Sequence, residues 1–163
     1  MQTFLPYASA DFRKSAEVLD NLRLNKQALE GWQIMLTLLK LDPLGNHRDP
    51  KGWYNHPAVK LWQGHEELLY YYVLCMVAEW KDRGFNSTIG DKATATLTVA
   101  YESGRLTNTA HNPPKWIVDR DKFESIASSH RQALLVKNYE WYSQFDWPED
   151  KGVVPKGYNY IWK

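Results

Sequence analysis

Cysteine is almost missing from this chain. A single residue, Cys75, stands among 163, so no internal disulfide can form and packing alone must hold the fold. Metal spacing is missing too. His47, His56 and His65 fall nine residues apart, a separation that no single helix or hairpin turns into one ligand set. No glycine-rich phosphate loop and no G-x-S-x-G elbow occur, which removes the commonest nucleotide-binding and serine-hydrolase signatures. Neither a metal nor an organic cofactor is expected. Long apolar runs are lacking as well. The longest, Leu68 to Ala78, is about half a membrane span. The opening MQTFLPYASADF has no basic start followed by an apolar stretch, so neither a signal nor a transit peptide is expected. The expectation is a cytoplasmic protein with no membrane partner. Surplus charge is absent: the formal net is +1, so any nucleic-acid footprint must come from local clustering.

Aromatic residues, by contrast, are abundant, with eight Trp and ten Tyr. Most should fill the core, while a few could stack on bases or wedge into a duplex. At this length one domain over residues 1–163 is expected, since no repeat or linker divides the chain. The pattern is helical. Ser9 or Asp11 can cap a first helix running through Leu39, with Val18, Leu22, Trp32, Met35 and Leu39 on its apolar face and a kink allowed at Gly31. A loop rich in Pro and Gly follows. The second helix should span Gly64 to Arg83, apolar nearly all round and therefore central, with Cys75 as inert core and Gly84 just past its end. The Thr- and Ala-rich stretch from Asn86 to Trp116 reads as irregular with room for a short helix. Asp121 and Glu124 form a capping-box-like start for a third helix that ends near Lys137. The aromatic tail should wrap over the core with about one helical turn. This makes an all-α single compact domain of three main helices with long loops, expected to be a monomer.

Two groups of polar residues stand out. On the first helix Arg23, Gln27 and Glu30 lie within about a quarter turn of one another, with Lys26 beside them and Asp20 one turn back. The stripe combines a cation, an amide and a carboxylate, although a solvated face with an Arg–Glu pair has the same spacing. On the third helix His130 and Arg131, with Lys137 two turns on, form a candidate phosphate clamp or an ordinary charged surface.

Several strings carry a resemblance. They are Asn55-His56-Pro57, the helix end EWKDRGFN (Glu79 to Asn86), and Trp141-Tyr142. With these the chain resembles the endonuclease V family of pyrimidine dimer glycosylases. It is more closely similar to a bacterial and phage branch that begins MQTFLPY (Met1 to Tyr7). That branch carries LDN-x-RL-x-KQ-x-x-E (Leu19 to Glu30) and W-x-NHPA-x-x-x-W (Trp53 to Trp62). The likeness covers nearly the full length. It implies a DNA repair enzyme acting on double-stranded DNA. A free N-terminal amine would attack the sugar of a damaged nucleotide, expel the base through an imine, and permit strand cleavage. An α-amine suits this role because its reference pKa, about 7.7–8.0, leaves a useful neutral fraction where lysine, near 10.4, does not.

Gln2 is large, so Met1 should be retained and the amine would be its own. An ungapped comparison places Arg23 near the family's catalytic glutamate. The nearest carboxylates are Glu30 and Asp20, and Glu30 is preferred because it shares the stripe with Arg23. The resemblance thus implies Met1, Glu30, Arg23 and Asp20 as catalytic candidates. Gln2, Lys26, Gln27, His56, His130, Arg131, Lys137, Trp141 and Tyr142 become candidates for contacts with DNA. The same scaffold acting on another modified base, or a DNA-binding module without catalysis, would share these features.

Overall fold

The chain enters not as a helix but as an extended stretch around which the helices close. The computed structural model describes residues 1–106 and 112–162. Among them are eight α-helices and no strand beyond an isolated bridge between Leu41 and His47. The all-α expectation holds, and one contiguous apolar cluster runs through the molecule. No helix of the described residues is long and apolar enough to cross a membrane.

The first predicted helix is two. Helix α1 spans Phe12–Val18, with Asp11 as its cap, and α2 spans Asn21–Leu39. Between them the backbone extends at Leu19 and Asp20. The Asp20 carboxylate accepts from the Arg23 N–H and starts α2. The end of α1 needs partners for its carbonyls, and two side chains from elsewhere provide them. Arg83 donates to the oxygens of Ala16, Glu17 and Leu19, and the Trp141 indole N–H donates to Val18 at 2.8 Å. Helical periodicity runs straight through the break because the cause lies far away in sequence.

Helix α2 continues unbroken through Gly31 to Leu39. Glycine is needed there for the crossing with α4, Glu66–Asp82. A Cβ at Gly31 would stand 2.6 Å from Val73 Cγ2. The α4 boundaries agree with the sequence within two residues, and Gly84 ends the region at φ +90°. Before α4, the loop contains a 3-10 turn at Gly52–Asn55 and the short helix α3, Pro57–Trp62.

The segment read as irregular is mostly a fourth long helix, α5, Ile89–Glu102, packed on α2 and α4. Its Thr residues alternate as they would in a strand. Here the hydroxyls of Thr94, Thr96 and Thr98 donate back to carbonyls one turn earlier, which lets β-branched residues sit in a helix. Residues 107–111 of that stretch lie outside the described residues. After α6, Lys115–Val118, helix α7 spans Arg120–Lys137. It is capped by Asp119, not Asp121. Helix α8, Tyr139–Tyr142, is the turn expected in the tail.

Gly31→Ala should test the crossing. Helix propensity alone favours Ala by about 1 kcal/mol, whereas overpacking against a stiff Val costs about 1–3 kcal/mol. The expected result is net destabilisation in the native background and stabilisation in a Val73→Ala background, read by urea denaturation. A Gly31→Ala effect independent of residue 73 would refute the packing account.

Candidate functional site

Residues Gln2 to Pro6 form the extended entry, and no strand pairs with them, so their polar groups must be met by side chains. The Gln2 N–H donates to Glu30 Oε2 at 2.6 Å. The Phe4 N–H donates to Gln27 Oε1, and the Phe4 carbonyl accepts from the Tyr72 hydroxyl. The Leu5 N–H donates to His130 Nδ1, and Arg131 Nη1 donates to the Pro6 carbonyl. Trp62 Nε1 donates to the Thr3 hydroxyl. The residues that follow Met1 are thereby held in one place.

Next to this segment opens a cleft of about 210 Å³ lined by Gln2, Phe4, Leu22, Arg23, Lys26, Gln27, Glu30, Lys137 and Tyr160. Six of the residues singled out from sequence meet here. Glu30 takes the Gln2 N–H on one oxygen, and Lys26 Nζ lies 3.7 Å from the other. Arg23 donates to Asp20 at 2.6 Å and to the Lys137 carbonyl. The Lys137 ammonium lies 5.1 Å from the centre of the Tyr158 ring and holds that phenol below its ordinary pKa. Three cations thus line the cleft together with one carboxylate that is bonded to the second residue of the chain.

His56 belongs to the same neighbourhood. Burial holds its imidazole below the usual pKa, the N-terminal ammonium adds to that, and Glu30 opposes it. Its Nδ1 accepts from the Ala58 N–H, which caps α3 and places the proton of the neutral ring on Nε2. Trp53 and Trp162 flank the ring. Met1 itself is half-buried and lines a second hollow together with Trp53.

Other expected contacts are elsewhere. His130 is fully buried, and burial pulls its pKa down to about 3, so it is neutral and clamps no phosphate. Its Nδ1 accepts from Leu5, so Nε2 carries the proton, 3.1 Å from the Gln2 amide. That amide satisfies both groups by presenting its oxygen, which otherwise has no partner. Arg131 is also buried. It forms two bonds to Glu149, one to Glu124 and one to Pro6, which leaves no face for DNA. Tyr142 is core: its hydroxyl accepts from the Asp20 N–H, and its ring stacks on Trp147. Trp141, 36% exposed, is fixed by the α1 carbonyl it caps. Asp20 is buried, its oxygens facing Arg23 and Asn138, and it does not line the cleft. Gln27 lines the cleft, but its oxygen faces inward to Phe4 and Tyr72.

Sequence reasoning missed Phe4, Leu22 and Tyr160 on the cleft wall, and Leu22 is 72% exposed there. The sequence puts Leu22 on the apolar face of the first helix, but the break at Leu19 and Asp20 starts α2 anew and leaves that side chain on the cleft wall in solvent. Among the described residues no cluster of His, Cys, Asp or Glu could hold a metal ion.

A family model described as pyrimidine dimer DNA glycosylase matches residues 1–93. The match takes in the extended entry, α1 to α4 and the start of α5. It therefore includes Glu30, Arg23, Lys26 and His56 but not Lys137 or Tyr160. No curated protein and no solved structure matches the chain.

His130 gives the protein an acid sensitivity with a definite sign. Its folded pKa is depressed, so the unfolded chain takes up the proton first. The stabilisation is complete above about pH 6.5 and is lost as pH falls toward 3, at up to about 1.4 kcal/mol per pH unit. His56 and His65, also lowered, act in the same direction from less buried positions. Asp20 and Glu149 act below about pH 4. Urea denaturation between pH 7 and 4.5 should show falling stability, and His130→Gln should remove most of the slope. An unchanged slope in the variant would exclude His130 as its source.

Proposed function

We propose, from the premise that this chain belongs to the pyrimidine dimer DNA glycosylase family, that it is a glycosylase and abasic-site lyase whose nucleophile is the Met1 α-amine. The observation that carries the reading is the 2.6 Å bond from the Gln2 N–H to Glu30. It ties the one carboxylate of the cleft to the residue next to the amine. Duplex DNA is the partner, its phosphates facing Lys26 and Lys137, while Arg23 stays bound to Asp20 and the Lys137 carbonyl.

The chemistry follows from these positions. The neutral amine forms a bond to the sugar C1′, and the C1′–base bond breaks. The base leaves with the electron pair and takes up a proton. Opening of the sugar ring at its oxygen and loss of an amine proton give a protonated imine. That imine makes the C2′ hydrogens acidic. Glu30 accepts one of them, the C3′–oxygen bond breaks, and the phosphate departs as the strand is cut. Water then hydrolyses the imine and frees Met1. Glu30 is suited to the proton step because one oxygen is anchored while the other faces the cleft. His56, neutral with its proton on Nε2, can donate toward the departing base or the sugar oxygen.

Borohydride should trap a covalent adduct between the protein and duplex DNA with an abasic site. Acetylation of the terminus should abolish it. Full-rate trapping by the acetylated protein would move the nucleophile to a lysine. Glu30→Gln should lower turnover by about 100-fold or more with little change in binding. If Asp20→Asn is the damaging change instead, the carboxylate is misassigned.

Binding should depend on salt despite the small net charge. Lys26, Lys137, Arg48 and Lys51 are exposed cations near the two hollows. Four phosphate contacts give a slope of about −3.6 in log affinity against log salt, and each single Ala variant flattens it by about 0.9. Arg131→Ala should instead lower stability by about 3 kcal/mol or more and leave the slope alone. A flattened slope in that variant would restore Arg131 as a phosphate contact.

A further inference from the structure

Past the end of α3, two recesses adjoin. One, about 350 Å³, is walled by apolar side chains, among them Leu68, Tyr71, Pro114 and Ile117. The other, about 360 Å³, has Lys60, Lys115 and Lys122 on its lining. His65 and Pro114 belong to both, so the two are continuous. Neither shares a residue with the cleft beside Gln2 or the hollow beside Met1.

The three lysines come from three helices joined at one buried side chain. Trp116 Nε1 donates to the Leu61 carbonyl at 3.0 Å, and its ring meets Trp62 and Phe123 edge-on. These contacts fasten α3, α6 and α7, which carry Lys60, Lys115 and Lys122. Lys115 and Lys122 are exposed and hold no carboxylate among the described residues. Asp119, between them in sequence, is committed to the α7 cap. The one acid on either lining among the described residues is Glu67, on the apolar side. That side is open too: Tyr71 is 43% exposed, and Val118 stands in solvent next to Ile117. Exposed apolar surface rimmed by charge marks a place for a partner.

We propose that this face docks a short acidic segment of a partner protein, its carboxylates on the three lysines and a neighbouring aliphatic or aromatic side chain in the recess beside Tyr71. Charge and apolarity together select this occupant. Carboxylates complement the lysines, and an apolar side chain gains by leaving water for Leu68 and Ile117. An extended chain rises about 3.3 Å per residue, so about five or six residues reach from one recess into the other. Glu67 sets the direction, because it repels carboxylates from the apolar end. A nucleic-acid backbone fits less well. Its phosphates would meet the lysines, but it has no apolar side chain to fill the adjoining recess. Docking here leaves the terminal cleft open, since no lining residue is shared.

The test uses the full chain and fluorescein-labelled synthetic peptides of about eight residues, in which a run of aspartates precedes a leucine and a phenylalanine. One control peptide keeps only the aspartates, and another keeps only the apolar pair. By fluorescence anisotropy the complete peptide should bind at least about tenfold more tightly than either control. Lys115→Ala combined with Lys122→Ala should weaken it by about tenfold, the loss expected for two exposed ion pairs. Glu67→Gln should leave binding unchanged or tighten it, and Ile117→Ser should weaken it. Thermal denaturation checks that each variant is folded, and the exposed lysines decide the matter if Ile117→Ser is not. The double lysine variant should bind duplex DNA with unchanged affinity and salt slope. No binding of the complete peptide at millimolar concentration overturns the docking site, as does equal binding of the aspartate control. A flatter DNA salt slope in the double lysine variant would give the face to a nucleic-acid backbone. A dimer in sedimentation that Ile117→Ser dissolves would give it to a second copy of the chain. Either result overturns the docking site as well.

Discussion

Residues Gln2 to Pro6 cross a helical protein with no neighbouring strand to take up their backbone hydrogen bonds. Buried amides and carbonyls cannot go without partners, so five side chains take them: Glu30 and Gln27 from α2, Tyr72 from α4, His130 and Arg131 from α7. Each of those is held in turn. Arg131 is clasped by Glu149 and Glu124, and Gln27 shares its oxygen with Tyr72. The same set explains why polar residues occupy the middle of helices that otherwise pack through Leu, Val and aromatic side chains. Their polarity faces inward, toward a guest segment of the same chain. A terminus held by three helices is also the condition a terminal nucleophile needs, since misplacement by about 1 Å can cost a hundredfold in rate.

Much of the fold could be read along the chain, because α2, α4 and α7 bury apolar faces with helical period. What escaped depended on distant partners. The break at Leu19 follows from Arg83 and Trp141, more than sixty residues away. Helix α5 needed its threonines folded back on their own carbonyls. The site was legible where one helix carries it: Arg23, Lys26, Gln27 and Glu30 do share a face. It was misread on α7, where His130 and Arg131 have the composition of a phosphate clamp and the burial of a core. Spacing tells which residues share a helix face. It does not tell whether that face meets solvent or another part of the chain.

The distribution of cations follows from the same burial. Arg13, Arg23, Arg83, Arg105 and Arg131 all grip carboxylates or carbonyls, and Arg83 alone makes five bonds, four of them to residues outside its own helix. The forked guanidinium can join several backbone acceptors at once, which lysine cannot. The charges left free for a polyanion are therefore mostly lysines on the rims of the two hollows. A formal charge of +1 is compatible with a basic working face because five of the seven arginines are occupied within the fold.

The bonds from Leu5 to His130 and from Pro6 to Arg131 each span 125 residues. Contacts of that separation form late, since a long loop must close before they reward it. During synthesis these residues thus wait for a helix made about 125 residues later. A ribosome adding about 5–20 residues per second leaves them unseated for several seconds. Helices α1 to α5 can assemble meanwhile through their mutual contacts. The segment that would carry the nucleophile is then fastened in a final step, when α7 folds over it. A partly made chain would display this segment without the α7 side chains that fix it.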